Sequence, residues 1–302
     1  MNANIQLSQL SANLAAQEDD DIDRLAAHAR EIRRLSVAAI YHATSGHPGG
    51  SLSCADILSV LYGQELGLDA SNAASPDRNR FVLSKGHAAP VLYATWASFG
   101  LMNPKTALSL RKLGSIAQGH PHVLDTPLAE TSTGSLGQGF STAIGMALGL
   151  RHQRKTARVY TLLGDGEMQE GEVWEGAMCA AHHKLSNLCA IIDYNKLQSD
   201  DRNEAIMGLE PLAQKWRAFG WHTLEILGHE IPAITAAFDE ARAINWRPTV
   251  IIAHTIKGRG VPYMEDQPLW HGSVKLTREQ TETALLSLGA SAIEIKELLD
   301  VR

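Results

Sequence analysis

The chain has 302 residues, 44% of them hydrophobic and 20% charged, with a formal net charge of −6. That is enough apolar material for one large α/β domain or two modest ones, and the negative balance offers no field to nucleic acid or to anionic lipid. Three cysteines without C-x-x-C spacing (Cys54, Cys179 and Cys189) argue against a disulfide framework and for a reducing cytoplasm. The first 20 residues carry no Lys or Arg, so no secretory leader is expected, and no apolar run reaches the roughly 18 residues of a membrane span.

Residues 1–20 are polar and read as a flexible N-terminal arm. From Ile22 the apolar residues Leu25, Ala29, Ile32, Leu35 and Ala39 recur at helical spacing, up to the loop "SGHPGGS" at Ser45–Ser51. A second helix is expected over about Cys54–Gly63. "RFVLS" (Arg80–Ser84) reads as a short strand leading into "KGHAAP". The middle of the chain forms a β-α-β unit, with strands at Arg158–Leu163 and Leu188–Asp193 and a helix over about Gly171–His183. Further strands are expected at His222–Leu227 and Thr249–Thr255, with a helix from Pro232 to about Ile244 between them. One helix over about Thr277–Leu299 closes the pattern. Strands alternating with helices predict an α/β fold: a parallel β-sheet with helices on both faces, and a single domain over residues 21–302.

The stretch "LLGDGEMQEG" (Leu162–Gly171) leaves a buried strand through a glycine-rich turn crowded with carboxylates. In a parallel sheet, ligands bind beyond the carboxyl ends of the strands. Asp165 follows one strand and Asn195 the next, 30 residues on, so one crossover brings both to the same sheet edge. A carboxylate, an amide oxygen and a main-chain carbonyl together form a hard oxygen site suited to Mg²⁺. Glu167 reads as an ordinary helix-start acid.

"GDGEMQEGEVWEGAMCAAHHKLSNLCAIIDYN" resembles the thiamine-diphosphate signature. The loops "SGHPGG", "SKGHAAP", "GHPH", "TSTGSLGQG" and "WHGS" occur in the order seen in transketolases. The resemblance runs from about Leu25 to Gly272 and implies the diphosphate-binding domain of that family. It implies Mg²⁺ (with Ca²⁺ or Mn²⁺ able to substitute) on Asp165, Asn195 and the carbonyl of Leu197, and thiamine diphosphate approached by the Gly166 backbone. It places Gly134, Ser135 and Leu136 against the cofactor, with Ser135 standing where the family usually has proline. His47 and His271 would serve substrate oxygens and proton transfer, His120 the donor's hydroxyl, and His87 the cofactor. Glu170, assigned to the cofactor region, and Glu175 would lie at a subunit interface.

The family's catalytic glutamate belongs to a pyrimidine domain that follows in the longer transketolases. The chain is therefore expected to be the N-terminal subunit of a split transketolase, pairing as α₂β₂ with a C-terminal pyrimidine-domain subunit. The expected reaction moves a two-carbon ketol unit from a ketose or ketose phosphate to an aldose, as in the pentose phosphate pathway. The alternatives are a related enzyme for a sulfonated or unphosphorylated sugar, or a non-catalytic cofactor-binding homologue. 1-Deoxyxylulose-5-phosphate synthase lacks the full histidine set. "GSLGQG" is not G-x-G-x-x-G and follows no apolar strand, which excludes a dinucleotide fold.

Overall fold

The computed structural model of the chain describes residues 2–300 apart from positions 70 and 200, with side chains described from residue 19 onward. Helix α1 is Asn2–Ala43. Apart from Asp19 and Asp20, the arm expected over 1–20 falls on residues whose side chains lie outside those described. Leu25, Ala29, Ile32 and Leu35 are buried, as their spacing requires. The segment expected as a loop over Ser45–Ser51 winds from Pro48 into a short helix, α2 (Pro48–Ser53), and the helix expected over about Cys54–Gly63 is in fact two pieces, α3 (Ala55–Val60) and a π-helical turn at Leu61–Glu65. Pro48 opens α2, where its missing N–H removes no bond.

Strand β1 (Arg80–Leu83) leads through a 3₁₀ turn into α4 (Ala89–Ser98) and α5 (Pro104–Leu108). Helix α6 (Gln138–His152) precedes β2 (Val159–Gly164), and α7 (Gly171–His182) connects β2 to β3 (Leu188–Tyr194). After the short α8 (Asn203–Ile206) and α9 (Leu212–Ala218) come β4 (His222–Leu227), α10 (Ile231–Ala243) and β5 (Thr249–His254). All pairings are parallel, in the order β1-β2-β3-β5-β4.

The β strands split their side chains between two cores, because successive Cβ atoms point to opposite faces. Phe81, Tyr160, Leu162, Ile191 and Ile251 join α1–α5 and α10 on one face. Val82, Val159, Leu163, Ile192 and Ile252 join α6, α7 and α9 on the other. This two-sided burial explains why the strands read as continuous apolar runs.

The C-terminal segment departs from the expected single helix. It forms α11 (Arg278–Ser287) and α12 (Ala292–Leu299). Gly289, at φ +74°, turns the chain, and Thr277 and Ser291 each begin a helix with a capping box.

Of the glycines within α6, one has a clear steric reason. A Cβ on Gly139 would stand 2.7 Å from Ser84 Cα, whereas Gly145 and Gly149 meet nothing within 4 Å. Gly139→Ala should therefore lower unfolding stability by about 1–3 kcal/mol, while Gly145→Ala should raise it by up to about 1 kcal/mol. Denaturant midpoints check both; equal midpoints for the two variants would mean the β1–α6 contact yields freely.

Candidate active site

The carboxyl ends of β1, β2, β3 and β5 converge on one cavity of about 460 Å³. Behind its lining, and bonded to Lys85 and Asn195 of that lining, lies Asp193, near the end of β3. This fully buried carboxylate accepts from Lys85 Nζ at 2.6 Å, Ser53 Oγ at 2.5 Å and Asn195 Nδ2 at 3.1 Å, and from Thr255 Oγ1. Burial alone would raise the Asp193 carboxyl; the Lys85 ammonium and the hydroxyl donors overcome it and hold the group below the usual carboxylate range. Lys85 also donates to Gly50 O at 2.9 Å, fixing the first histidine loop.

Register places Gly164 of β2 beside Asp193 of β3, so the turns that follow the two strands are adjacent. Asp165 and Asn195 both line the cavity, as their spacing predicts. Asp165 accepts from Gly166 N at 2.8 Å and from Lys196 N, and Asn195 Oδ1 accepts from Leu197 N at 3.2 Å. Burial raises the Asp165 carboxyl and lowers the Lys257 ammonium. Lys257 donates to the carbonyl of Leu197 and to His271 Nδ1. That carbonyl thus already faces a cation. Among the described residues no three His, Cys, Asp or Glu side chains are grouped to hold a metal; a cation at Asp165 would need an amide and a carbonyl oxygen beside it.

Glu167 does stand in the first turn of a short 3₁₀ helix, Gly166–Gln169, but it is buried rather than an ordinary surface acid. It is 2% exposed, and its carboxylate accepts from Ser84 Oγ at 2.5 Å, Gly137 N at 2.8 Å and Gly164 N at 3.1 Å. It therefore joins the ends of β1 and β2 to the start of α6. Helix-start statistics describe a local preference, and here tertiary contacts decide.

Three of the four histidines cluster inside the cavity. The ring centroids lie 5.2 Å apart for His47–His87, 5.6 Å for His87–His271 and 6.5 Å for His47–His271. Burial keeps all three neutral, reinforced by nearby positive charge: Arg111 near His47, Lys85 near His87 and Lys257 near His271. His47 is pushed down to about 4, His271 to about 3, and His87 well below its ordinary value. His47 Nδ1 is buried without a partner. His120 stands apart: it is exposed and does not line the cavity, though Gly134 packs near its ring. Burial, then Arg111, lowers its proton affinity too.

Gly134, Leu136, Gly166 and Glu170 line the cavity, and Ser135 is exposed outside it. Glu170 is the exposed N-cap residue of α7. Glu175 lines a separate groove between α6 and α7, with Gln138 and Cys179. Lys85, Asp193, Glu167 and Lys257 also belong to the site, although no sequence motif singles them out. "SKGH", "DYN" and "TIKG" contain three of them, but a lysine or aspartate at a strand end carries no spacing signal of its own.

These residues suit a polyanion bridged by a cation. Two ammonium groups enter the cavity, the Gly166 turn allows close approach, and the oxygens of Asp165, Asn195 and Leu197 are hard donors. His47 contributes a free ring nitrogen.

Residues 24–296 match the family model described as "Transketolase, thiamine diphosphate binding domain". The chain is 41% identical over 260 residues to a 6-deoxy-6-sulfo-D-fructose transketolase subunit of a Clostridium species, covering 86% of this chain and 94% of that one. It is 39% identical over 264 residues to a subunit of the apulose-4-phosphate transketolase of Phocaeicola vulgatus, covering 87% and 93%. Against the transketolase of Mus musculus it is 40% identical over 90% of its own length but spans only 43% of that protein. A crystal structure of Campylobacter jejuni transketolase superposes with a TM-score of 0.83 at 29% identity, over 92% of this chain and 46% of that one. Among the described residues no helix is long and apolar enough to cross a membrane.

The neutral histidines carry a pH consequence. The unfolded chain takes up protons below the ordinary histidine value of 6.5, whereas folded His47 stays neutral to about 4. Stability is therefore full above that window and is lost as pH falls through it. The thermal midpoint of the cofactor-free chain should drop between about pH 7 and about pH 5, and His47→Asn should reduce the slope. A midpoint independent of pH would contradict the neutral cluster.

Proposed function

Because the chain belongs to the transketolase family through its thiamine diphosphate-binding domain, we propose that it is the diphosphate-binding subunit of a two-polypeptide transketolase. In this reading it transfers a two-carbon ketol unit from a ketose, or its phosphate, to an aldose. The observation that carries the proposal is the single cavity uniting the Asp165–Gly166 turn, Asn195 and Leu197 with His47, His87 and His271.

Asp165, Asn195 and the Leu197 carbonyl would hold Mg²⁺, or Ca²⁺ or Mn²⁺ in its place. Gly166, Lys85 and Lys257 would take the diphosphate, and Gly134, Ser135, Leu136 and His87 the remainder of thiamine diphosphate. When bound, that cofactor supplies the electron sink for breaking the ketose C2–C3 bond. The chain's own residues handle the rest. Neutral His47 and His271 have ring nitrogens able to accept a hydroxyl proton, and the return of that proton is favoured because burial and the nearby cations keep both rings neutral at rest. His120, at the rim, would orient the donor's hydroxyl. Glu170 and Glu175 would face a neighbouring subunit.

The chain spans nearly all of two relatives named as subunits but less than half of the longer transketolases. That favours a separate pyrimidine-domain polypeptide in an α₂β₂ assembly. The names of those relatives also favour a second reading of substrate range, a sulfonated or otherwise unusual sugar. The tied Asp165 turn and the packed histidine cluster speak against a non-catalytic homologue. A cytoplasmic place in carbohydrate metabolism follows from the same reading.

The test combines the purified chain with its candidate partner and assays ketose-to-aldose transfer. Turnover is expected only in the mixture, with thiamine diphosphate and Mg²⁺; turnover by the chain alone would sink the two-polypeptide reading. By calorimetric titration, Asp165→Ala should weaken Mg²⁺-dependent cofactor binding at least about tenfold.

A further inference from the structure

Arg111 lies outside the cavity, between loops that are distant in sequence. Its φ of +60° is a left-handed conformation that a non-glycine residue keeps only when its surroundings enforce it. Its backbone N–H donates to Ala117 O at 2.8 Å, closing the turn that leads into the His120 segment. Its Nη1 donates to Ser45 Oγ at 2.6 Å and to Ser273 Oγ at 3.2 Å, and those two hydroxyls are themselves 2.6 Å apart. Ser45 is two residues before His47, and Ser273 two after His271. Gly46 and Val274, beside them, pair across the same junction through a Val274 N to Gly46 O bond of 2.9 Å. Gly119, immediately before His120, packs so closely that a Cβ there would stand 3.0 Å from Arg111 Nε. Nε itself is buried without a partner.

We propose that Arg111 is a positioning residue that clasps the His47, His120 and His271 loops together and so fixes the spacing of the three rings. One guanidinium can do this because a single nitrogen, Nη1, reaches both serine hydroxyls while the rigid plane holds Nε against Gly119, a shape a lysine lacks. The left-handed backbone aims that fork at the junction. None of the hydrogen bonds of Arg111 goes to a residue assigned to diphosphate or metal, so its effect is expected at the histidines. Its positive charge also disfavours protonation of His47 and His120. The link between ring spacing and turnover rests on the transketolase reading above; the clasp itself does not.

The test uses Arg111→Ala, Arg111→Lys and the double variant Ser45→Ala/Ser273→Ala, which removes the acceptors and leaves the arginine in place. Hydrogen exchange is followed by mass spectrometry on the free chain. The loops around residues 45–47, 117–120 and 271–274 should exchange together, about tenfold faster or more, in Arg111→Ala and in the double serine variant. Sheet amides and thiamine diphosphate affinity should stay within about twofold. In the assembly with its partner polypeptide, kcat should fall about 100-fold for Arg111→Ala, as expected for misplaced catalytic groups. The KM for the cofactor should hold, and Arg111→Lys should recover only part of the loss. Unchanged exchange in the three loops, full turnover, or complete rescue by lysine would each overturn the clasp. If Arg111→Ala does not fold, the double serine variant decides by the same exchange readout. Loss of loop protection in these variants, with a wild-type assembly that never turns over, would support the clasp and count against the transketolase reading.

Discussion

The buried pair of Lys85 and Asp193 is the interaction on which the rest of the site depends. Two charges removed from water are costly, by several kcal/mol each, unless geometry and hydrogen bonding are complete. Here they are nearly so: Lys85 has Asp193 and Gly50 O, and Asp193 has Lys85, Ser53, Asn195 and Thr255. Those partners come from α2, the end of β1, the end of β3 and the residue after β5. The pair therefore specifies the mutual position of four segments, and each of them carries or adjoins a cavity residue. Its worth lies in that specification more than in net stability, since buried ion pairs seldom outperform packed apolar groups.

The same charges set the chemistry of the histidines. Burial first, and then an ammonium deep in the cavity, make a further positive charge unfavourable, so His87 near Lys85 and His271 near Lys257 stay neutral. Neutral imidazoles are able to accept protons, and the polyanion proposed for this cavity would partly offset the ammonium charges. The anion-binding and proton-transfer functions are coupled through one local potential.

Much of this is legible in the sequence, for definite reasons. Strands β1 to β5 lie within about a residue of their expected places; in β2, β3 and β5 two-sided burial imposes long apolar runs, while the half-exposed edge strand β4 is marked by its alternating side chains. The Asp165–Asn195 pairing is readable because a β-α-β crossover has a fixed result. Features that depend on side chains meeting from distant segments are not. Glu167 reads like any acid at a helix start, and only the approach of Ser84 and Gly137 makes it a buried joint. Arg111 has no motif at all. The tail reads as one helix because Gly289 within a run of good helix formers is a weak local break; the Ser291 capping box makes it a strong one.

The site's carboxylates bear on the proposal of a second polypeptide. A general acid for a cofactor ring nitrogen must have an oxygen free to receive or share a proton. Among the described residues, the carboxylates lining the cavity are Asp165, Glu167 and Glu170. Asp165 is engaged by two backbone N–H groups and Glu167 by three donors, while Glu170 is exposed at the start of α7. The buried acids of this chain are thus committed to holding the turn and the sheet ends. His120, the exposed Glu170 and the apolar side chains of Leu113 and Leu124 (both more than 80% exposed) lie in surface segments of the chain, not in its core. An acid delivered from another polypeptide would not have to break any of the bonds that build the cavity.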